Sequence, residues 1–420
     1  MLTVEQALQL VIENTRPLPR VEVPLLEALG RVLAEDVASD IDSPPYDKSV
    51  VDGYAVQTAD FVDGRAELVF LEEITAGMVP TQRVESGTTT RIMTGAPIPA
   101  GADGVVMVER STIVETGGVI RIQLVEPKIK SGQNIIRQGS SMRRGETILS
   151  KKSPQPITPV AIGVLAEIGR TKVRVVPQPS VAILATGNEL VPPGTTPGPG
   201  QIRNSNESML AALTIQAGGT PRLLGVARDE RDELRQKISA GLDADILLLS
   251  GGVSAGVLDL VPGVLRELGV VEVFHKVSLK PGKPLWFGVL DHGERRTLVF
   301  GLPGNPVSTF VCFRLFVDAA LQYLIRGYET ASLPAHALQP QLPARLGTDF
   351  NHRGDRPTYH PARYQEANNS NGEWGQDIVT PLAWKGSGDL RTLLDADALI
   401  VFPPGDKQYA KGDAISYLPL

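Results

Sequence analysis

Between residues 180 and 327 short, unbroken apolar runs alternate with amphipathic stretches, and this rhythm leaves few folds open. "VAILATG", "RLLGVA" and "ADILLLSGG" read as buried strands. "SNESMLAALTIQAGG", "DERDELRQKISAGL" and "LDLVPGVLRELG" read as helices, the last with Pro262 in its first turn. "VEVFHKVS", "PLWFGVL" and "TLVFGLPG" add strands, and "NPVSTFVCFRLFVDAALQYLI" adds a long helix. Strands alternating with helices at this spacing predict a doubly wound α/β sheet. Such a sheet binds ligands beyond the carboxyl ends of its strands, so the loops that follow the strands come first.

The loop "SGGVSAG" follows a buried strand. Gly251, Gly252 and Gly256 allow close backbone approach, Ser250 and Ser254 add hydroxyls, and a helix is expected to start near Asp259. Alone, this stretch does not separate a phosphate cradle from a tight turn, and it matches neither G-x-G-x-x-G nor the P-loop. "HKVSLKPGKP" adds Lys276, Lys280 and Lys283, compact charges suited to phosphate, with Lys276 and Lys280 expected on one strand face. An exposed edge strand would also carry such lysines. "ATGNEL" places Glu189 after a strand, "GVARDE" does so with Asp229, and "GLPGNPVS" turns a strand into a helix through Pro303 and Asn305. The convergence of these loops on one sheet edge says more than any one of them.

The remainder is organised differently. "LTVEQALQLVIENT" predicts an amphipathic helix capped by Thr3. "LLEALGRVLAEDV" suggests a short helix leading into a strand, and "PQPITPVAIGVLAEIGR" a helix opened by prolines. Short β-rich runs punctuated by glycine over 40–150 predict an all-β or mixed module. In it, Asp52-Gly53 could be a type I′ hairpin turn, and "RIMTGAPIP" carries Thr94. After 328 the helical periods fade into a small β-rich domain. A length of 420 residues fits about two to four domains.

A net charge of −6 argues against nonspecific nucleic-acid binding. The only cysteine, Cys312, excludes an intrachain disulfide and reads as a small buried hydrophobe. The five histidines are scattered, so a hard cation held by carboxylates is the remaining metal chemistry. No apolar run approaches the ~20 residues of a membrane span, and the opening lacks a basic start, so a cytoplasmic protein is expected.

"DKSVVDGYAV", "RIMTGAPIPAGAD", "SGQNIIRQG", "ATGNEL", "LLLSGGVSAG", "LKPGKP" and "GLPGNPVS", in this order, resemble the molybdopterin molybdotransferases, the MoeA and gephyrin E-domain family. The resemblance implies an elongated, four-domain protomer in a homodimer. A helix over 1–20 would pack on a MogA-like doubly wound domain at 180–327. A linking domain would comprise 21–44 and 141–179, a β-rich domain would be inserted at 45–140, and a β-barrel would follow at 328–420. The implied reaction inserts molybdate, a substrate, into adenylylated molybdopterin and releases AMP with the help of Mg²⁺. Asp52, Thr94, Lys276, Lys280 and Asp259 match catalytic positions. Glu189, Asp229 and Asp259 match metal-side acids. Ser250, Gly251, Gly252, Ser254, Gly256, Lys283, Pro303, Asn305 and Ser387 match substrate-side positions. Asp52 and Thr94 would reach the site from the partner subunit, and contacts with other cofactor-biosynthesis proteins are compatible.

The chain departs from the family pattern where an acid is usual and Ser141 stands instead, with Glu146 or Asp47 as candidate substitutes. Ile136 stands where an arginine sometimes occurs, beside Arg137. A tungstate-using version, or a paralogue that binds cofactor or partner without turnover, are the competing readings.

Overall fold

The computed structural model describes residues 1–152, 155–253, 260–293, 295–326, 341–366 and 377–420. The chain divides into two compact units, Met1–Val21 with Val175–Leu420, and Glu22–Arg174.

The first unit opens with α1 (Val4–Asn14), started by a capping box between Thr3 and Gln6. Its apolar face, Val4, Ala7, Leu8 and Val11, enters the core beneath a six-stranded sheet. The strands are β1 (Ser180–Thr186), β2 (Thr220–Ala227), β3 (Ile246–Ser250), β4 (Val271–His275), β5 (Trp286–Asp291) and β6 (Arg296–Leu302), in spatial order β2-β1-β3-β6-β5-β4. The β2-β1-β3-β6 portion is parallel, and β5 and β4 run antiparallel at one edge. Val181, Ile183, Ile246 and Leu248 pack into the core on one face, and Ala182, Leu184, Leu247 and Leu249 into the core on the other. Burial on both faces is why these strands are continuously apolar in sequence.

Helices α2 (Ser205–Gln216), α3 (Arg231–Gly241) and α4 (Val261–Glu267) follow β1, β2 and β3 in alternation, as the sequence predicts for a doubly wound fold. After β6, α5 (Pro306–Cys312) runs through a π-helical turn, Phe313–Val317, into α6 (Asp318–Arg326). By length and composition Pro306–Arg326 could cross a membrane, which corrects the expectation that no segment comes near that length. Its apolar window is 78% buried inside the fold, so it is the core helix of this unit. Arg314 and Asp318 break the apolar run in sequence but pair with each other at 3.1 Å along the helix.

A closed barrel completes this unit, with neighbouring strands Leu342–Leu346, Ile378–Pro381, Thr358–Gln365, Ala398–Phe402 and Ala414–Pro419. It is fastened to the sheet through backbone: Lys280 N–H donates to Pro357 O at 2.9 Å, and Tyr359 N–H to Lys280 O at 2.8 Å. Tyr359, Leu399 and Leu418 join the core that contains α1 and Phe300.

Two histidines packed at the barrel, His360 on a barrel strand and His352 on a separate two-stranded sheet, set a pH dependence. His352 stacks on Phe402 with 5.0 Å between centroids, and His360 Nε2–H donates to Leu382 O at 2.9 Å. Burial pushes both imidazoles below their ordinary value, with Lys280 adding to the effect. The unfolded chain therefore takes up these protons first as pH falls. Stability is retained above the ordinary imidazole value of about 6.5 and declines below it, toward the lower folded values. Thermal unfolding followed from about pH 7.5 to about pH 5 will show the barrel transition falling, and His352→Phe with His360→Gln will flatten that slope. An unchanged slope in the double variant would remove these residues from the account.

The second unit holds a six-stranded sheet in the order Gly104–Met107, Gly53–Val56, Thr88–Ile92, Arg65–Ile74, Val119–Val125, Ser111–Thr116. The proline-opened helix forms at Pro159–Glu167 with Thr158 as its cap. The short helix expected from "LLEALGRVLAEDV" is only a 3-10 turn, Leu25–Ala28. Gly30, at φ +73°, gives its N–H to Ile157 O at 2.9 Å, so the helical ladder goes no further.

Candidate active site

A cleft of about 740 Å³ opens where four strands of the doubly wound sheet end. Thr186 and Gly187 come from the end of β1, Asp229 from the loop after β2, Ser250 to Val253 from β3, and Pro303 to Pro306 from β6. Glu189 joins from the β1 loop. The glycines after β3 are required by conformation and space. Gly251 has φ +94° and Gly252 φ +65°, where side chains are disfavoured. A Cβ on Gly251 would lie 2.6 Å from Thr186 O, and one on Gly252 2.7 Å from Thr186 Oγ1. Gly251 N–H is already committed to Leu302 O at 3.1 Å. The N–H groups of Gly252 and Val253 meet no protein acceptor among the described residues.

Asn206, in the first turn of α2, organises this floor. Its Nδ2 donates to Ser250 Oγ at 2.9 Å, to Gly304 O at 2.7 Å and to Thr309 Oγ1 at 3.4 Å. Asn204 caps the same helix, accepting Glu207 N–H at 3.3 Å. Among the described residues, no group of three metal-ligating side chains comes together. Glu189 and Asp229, both exposed at the cleft, are the carboxylates the structure offers there. One or two carboxylates beside phosphate oxygens are the donor set that suits Mg²⁺, so the residues present fit that ion.

A second cleft, about 510 Å³, shares Pro284, Pro303 and Asn305 with the first. Lys280, Lys283, Arg356 and Lys385 line it with the hydroxyls of Ser308 and Ser387, and no carboxylate does so among the described residues. Arg356 pairs with Asp355 at 3.0 Å, outside that lining. Ser387 belongs to the C-terminal region but is fixed onto the loop after β6. Asn305 Nδ2 donates to Ser387 Oγ at 3.0 Å, and Val307 N–H to Ser387 O at 3.0 Å.

The sequence-predicted residues therefore fall into separate groups. Glu189, Asp229, Ser250, Gly251 and Gly252 line the first cleft, Lys280, Lys283 and Ser387 the second, and Pro303 and Asn305 both. Lys276 lines neither. The expectation that it shares a strand face with Lys280 is wrong: β4 ends at His275, and Lys276 sits at φ +75° with its N–H on Leu285 O at 2.8 Å. Ser254, Gly256 and Asp259 lie outside the described residues. The helix expected near Asp259 starts at Val261.

In the second unit Asp52 Oδ1 accepts both the N–H and the hydroxyl of Thr94, at 2.7 and 2.8 Å. Those bonds hold the Asp52 carboxyl below its ordinary range. Gly53 does not have the positive φ of a type I′ turn; it is a strand residue whose Cβ would strike Val106 O at 2.0 Å. The acids proposed to stand in beside Ser141 are already engaged. Asp47 pairs with Arg137 at 2.5 Å and accepts Gln138 N–H at 2.8 Å, and Glu146 accepts Arg143 N–H at 2.9 Å.

Sequence reasoning missed Asn206, Arg356 and Lys385. Asn206 looks like ordinary polar helix-start chemistry, and the two cations lie far along the chain from the lysines they join.

Comparison with known proteins decides the family. Models described as MoeA N-terminal region (domain I and II), probable molybdopterin binding domain, and MoeA C-terminal region (domain IV) match residues 2–169, 182–323 and 343–420. The molybdopterin molybdenumtransferase of Bacillus subtilis is 34% identical over 94% of this chain and 89% of its own length. The chain belongs to the MoeA family. A second MoeA-family relative, the Staphylococcus aureus molybdopterin molybdenumtransferase, is 32% identical over 99% of this chain and 95% of its own. The crystal structure of a molybdopterin biosynthesis MoeA protein from Pyrococcus horikoshii superimposes with a TM-score of 0.78 at 29% identity, covering 100% of this chain and 99% of that one.

Proposed function

We propose that this MoeA-family chain is a molybdopterin molybdenumtransferase of molybdenum cofactor biosynthesis, taking up molybdate on adenylylated molybdopterin and releasing AMP. The observation that carries this reading is the pair of adjoining clefts. One is a glycine-walled floor with a buried serine and two carboxylates; the other is lined by cations and hydroxyls, with no acid among the described residues. A phosphoanhydride suits the first, and a tetrahedral oxyanion suits the second. Their common wall, Pro303 and Asn305, lets one ligand reach from one cleft into the other.

Ser250 and the N–H groups of Gly252 and Val253 orient the phosphates. Glu189 and Asp229 would hold Mg²⁺, which supplies charge neutralisation on phosphate oxygens. Lys280, Lys283 and Arg356 attract molybdate and stabilise negative charge as the phosphoanhydride breaks. Asp52 and Thr94 complete the opposite copy's cleft in a cytoplasmic homodimer, a reading supported by the family resemblance.

The test supplies adenylylated molybdopterin, Mg²⁺ and molybdate to the full chain and follows AMP by chromatography. AMP formed in step with cofactor is the expected result. Absence of both with molybdate and with tungstate would overturn the reading.

A further inference from the structure

We infer that Asn206 is a positioning residue that fixes the hydrogen-bond polarity of Ser250, so that the serine hydroxyl can only donate toward phosphate in the cleft. The inference rests on the reading of that cleft as a phosphate site.

The argument starts from what the Asn206 amide faces. Gly304 O is a carbonyl and can only accept, and it lies 2.7 Å from Nδ2. That contact settles which end of the amide is nitrogen. The other hydrogen of the same NH₂ group then points to Ser250 Oγ at 2.9 Å. Thr309 Oγ1, 3.4 Å away, donates its own proton to the carbonyls of Pro303 and Asn305, so it is a minor acceptor here. Ser250 Oγ thus receives a hydrogen bond from inside the protein.

A hydroxyl has one proton, and that of Ser250 finds no protein acceptor among the described residues. Ser250 is 3% exposed and lines the cleft, so the free proton is available only on the cleft side. The orientation has a cost. Asn206, 9% exposed, leaves its Oδ1 buried without a partner. Turning the amide over would set Oδ1 against Gly304 O and leave the NH₂ unsatisfied instead, so Gly304 holds this orientation. An anion in the cleft needs donors, and a serine whose lone pair is already engaged inward is a committed donor.

Without the Asn206 donor, Ser250 O–H is free to turn inward to the vacated Gly304 carbonyl. The cleft would then present an oxygen lone pair to an anion. The expected loss of anion affinity is about 10- to 100-fold, the worth of one hydrogen bond to a charged group.

The experiment is a double-mutant cycle on the full chain, with inorganic pyrophosphate as the probe in metal-free buffer and binding read by calorimetry. Asn206→Leu, similar in shape and uncharged, is expected to weaken pyrophosphate about 10-fold or more when Ser250 is present, and less than about 2-fold in a Ser250→Ala background. Equal losses in both backgrounds would make Asn206 merely structural and overturn the inference while leaving the phosphate site standing. If the wild-type chain does not bind pyrophosphate, the phosphate reading itself falls, and this inference with it. Should Asn206→Leu not fold, Asn206→Asp serves in the same cycle. Its charge repels pyrophosphate equally in both backgrounds, so only the difference between them reports the polarity of Ser250, and no difference overturns the inference.

Discussion

Gly251→Ala will reduce kcat/KM for AMP release by about 100-fold or more while the sheet stays folded. The methyl group meets two obstacles together. At φ +94° an L side chain is strained, by about 1–3 kcal/mol for a well-held backbone. Its Cβ would also lie 2.6 Å from Thr186 O and 3.1 Å from Thr186 Oγ1. Thr186 cannot retreat easily, because β1 is paired on both sides, to β2 and to β3. The loop must move instead, and it carries Gly252 and Val253, the donors of the cradle. Displacement of positioning groups by about 1 Å is enough to cost on the order of 100-fold. Steady-state AMP release beside circular dichroism separates the loss of function from unfolding. Activity within about threefold of wild type would show that the loop does not position substrate.

Lys280→Ala is expected to lower the rate of AMP release by about 100- to 1,000-fold, the effect of removing one preorganised group that meets developing charge. The backbone of Lys280 is fixed on both sides of the peptide, by Pro357 O and Tyr359 N, so its ammonium reaches the cationic cleft from a rigid root. Among the described residues Nζ makes one weak contact, 3.4 Å to Arg353 O, and remains available to an anion. Lys283→Ala, at an exposed position, will cost less, and Lys280→Arg will recover part of the loss because its fork differs from a point charge. The measurement is kcat/KM against molybdate concentration with adenylylated molybdopterin held constant. If Lys280→Ala releases AMP at the wild-type rate, the role given to the cationic cleft is wrong.

Much of the architecture was legible because it rests on local periodicity. Apolar runs such as "AILAT" and "ILLLS" can satisfy both buried faces only as central strands, and helices between them require the doubly wound arrangement. The Thr3 cap and the proline-opened helix at 159 are likewise local signals. Failures came where the backbone turns at a single residue. The helix expected after Leu25 stops at Gly30, whose φ is +73° and whose N–H goes to Ile157 O, and the strand expected through Lys276 ends because Lys276 turns to φ +75°. A charged residue that would show well in either conformation gives no warning of such an outcome.

The sequence by itself determined that glycines, hydroxyls, carboxylates and lysines would follow strands of one sheet, since strand ends and positive-φ positions are written in short stretches of chain. Only the tertiary structure decided how these groups are used. Asn206 is 44 residues from Ser250, and Asn305 is 82 from Ser387, yet each pair shares a hydrogen bond. The direction of such a bond depends on which acceptor lies on its other side, here Gly304, and no local pattern encodes that. The cationic cleft has the same origin: Lys280 and Lys283 meet Arg356 and Lys385 because the barrel is fastened to the sheet by backbone at Lys280.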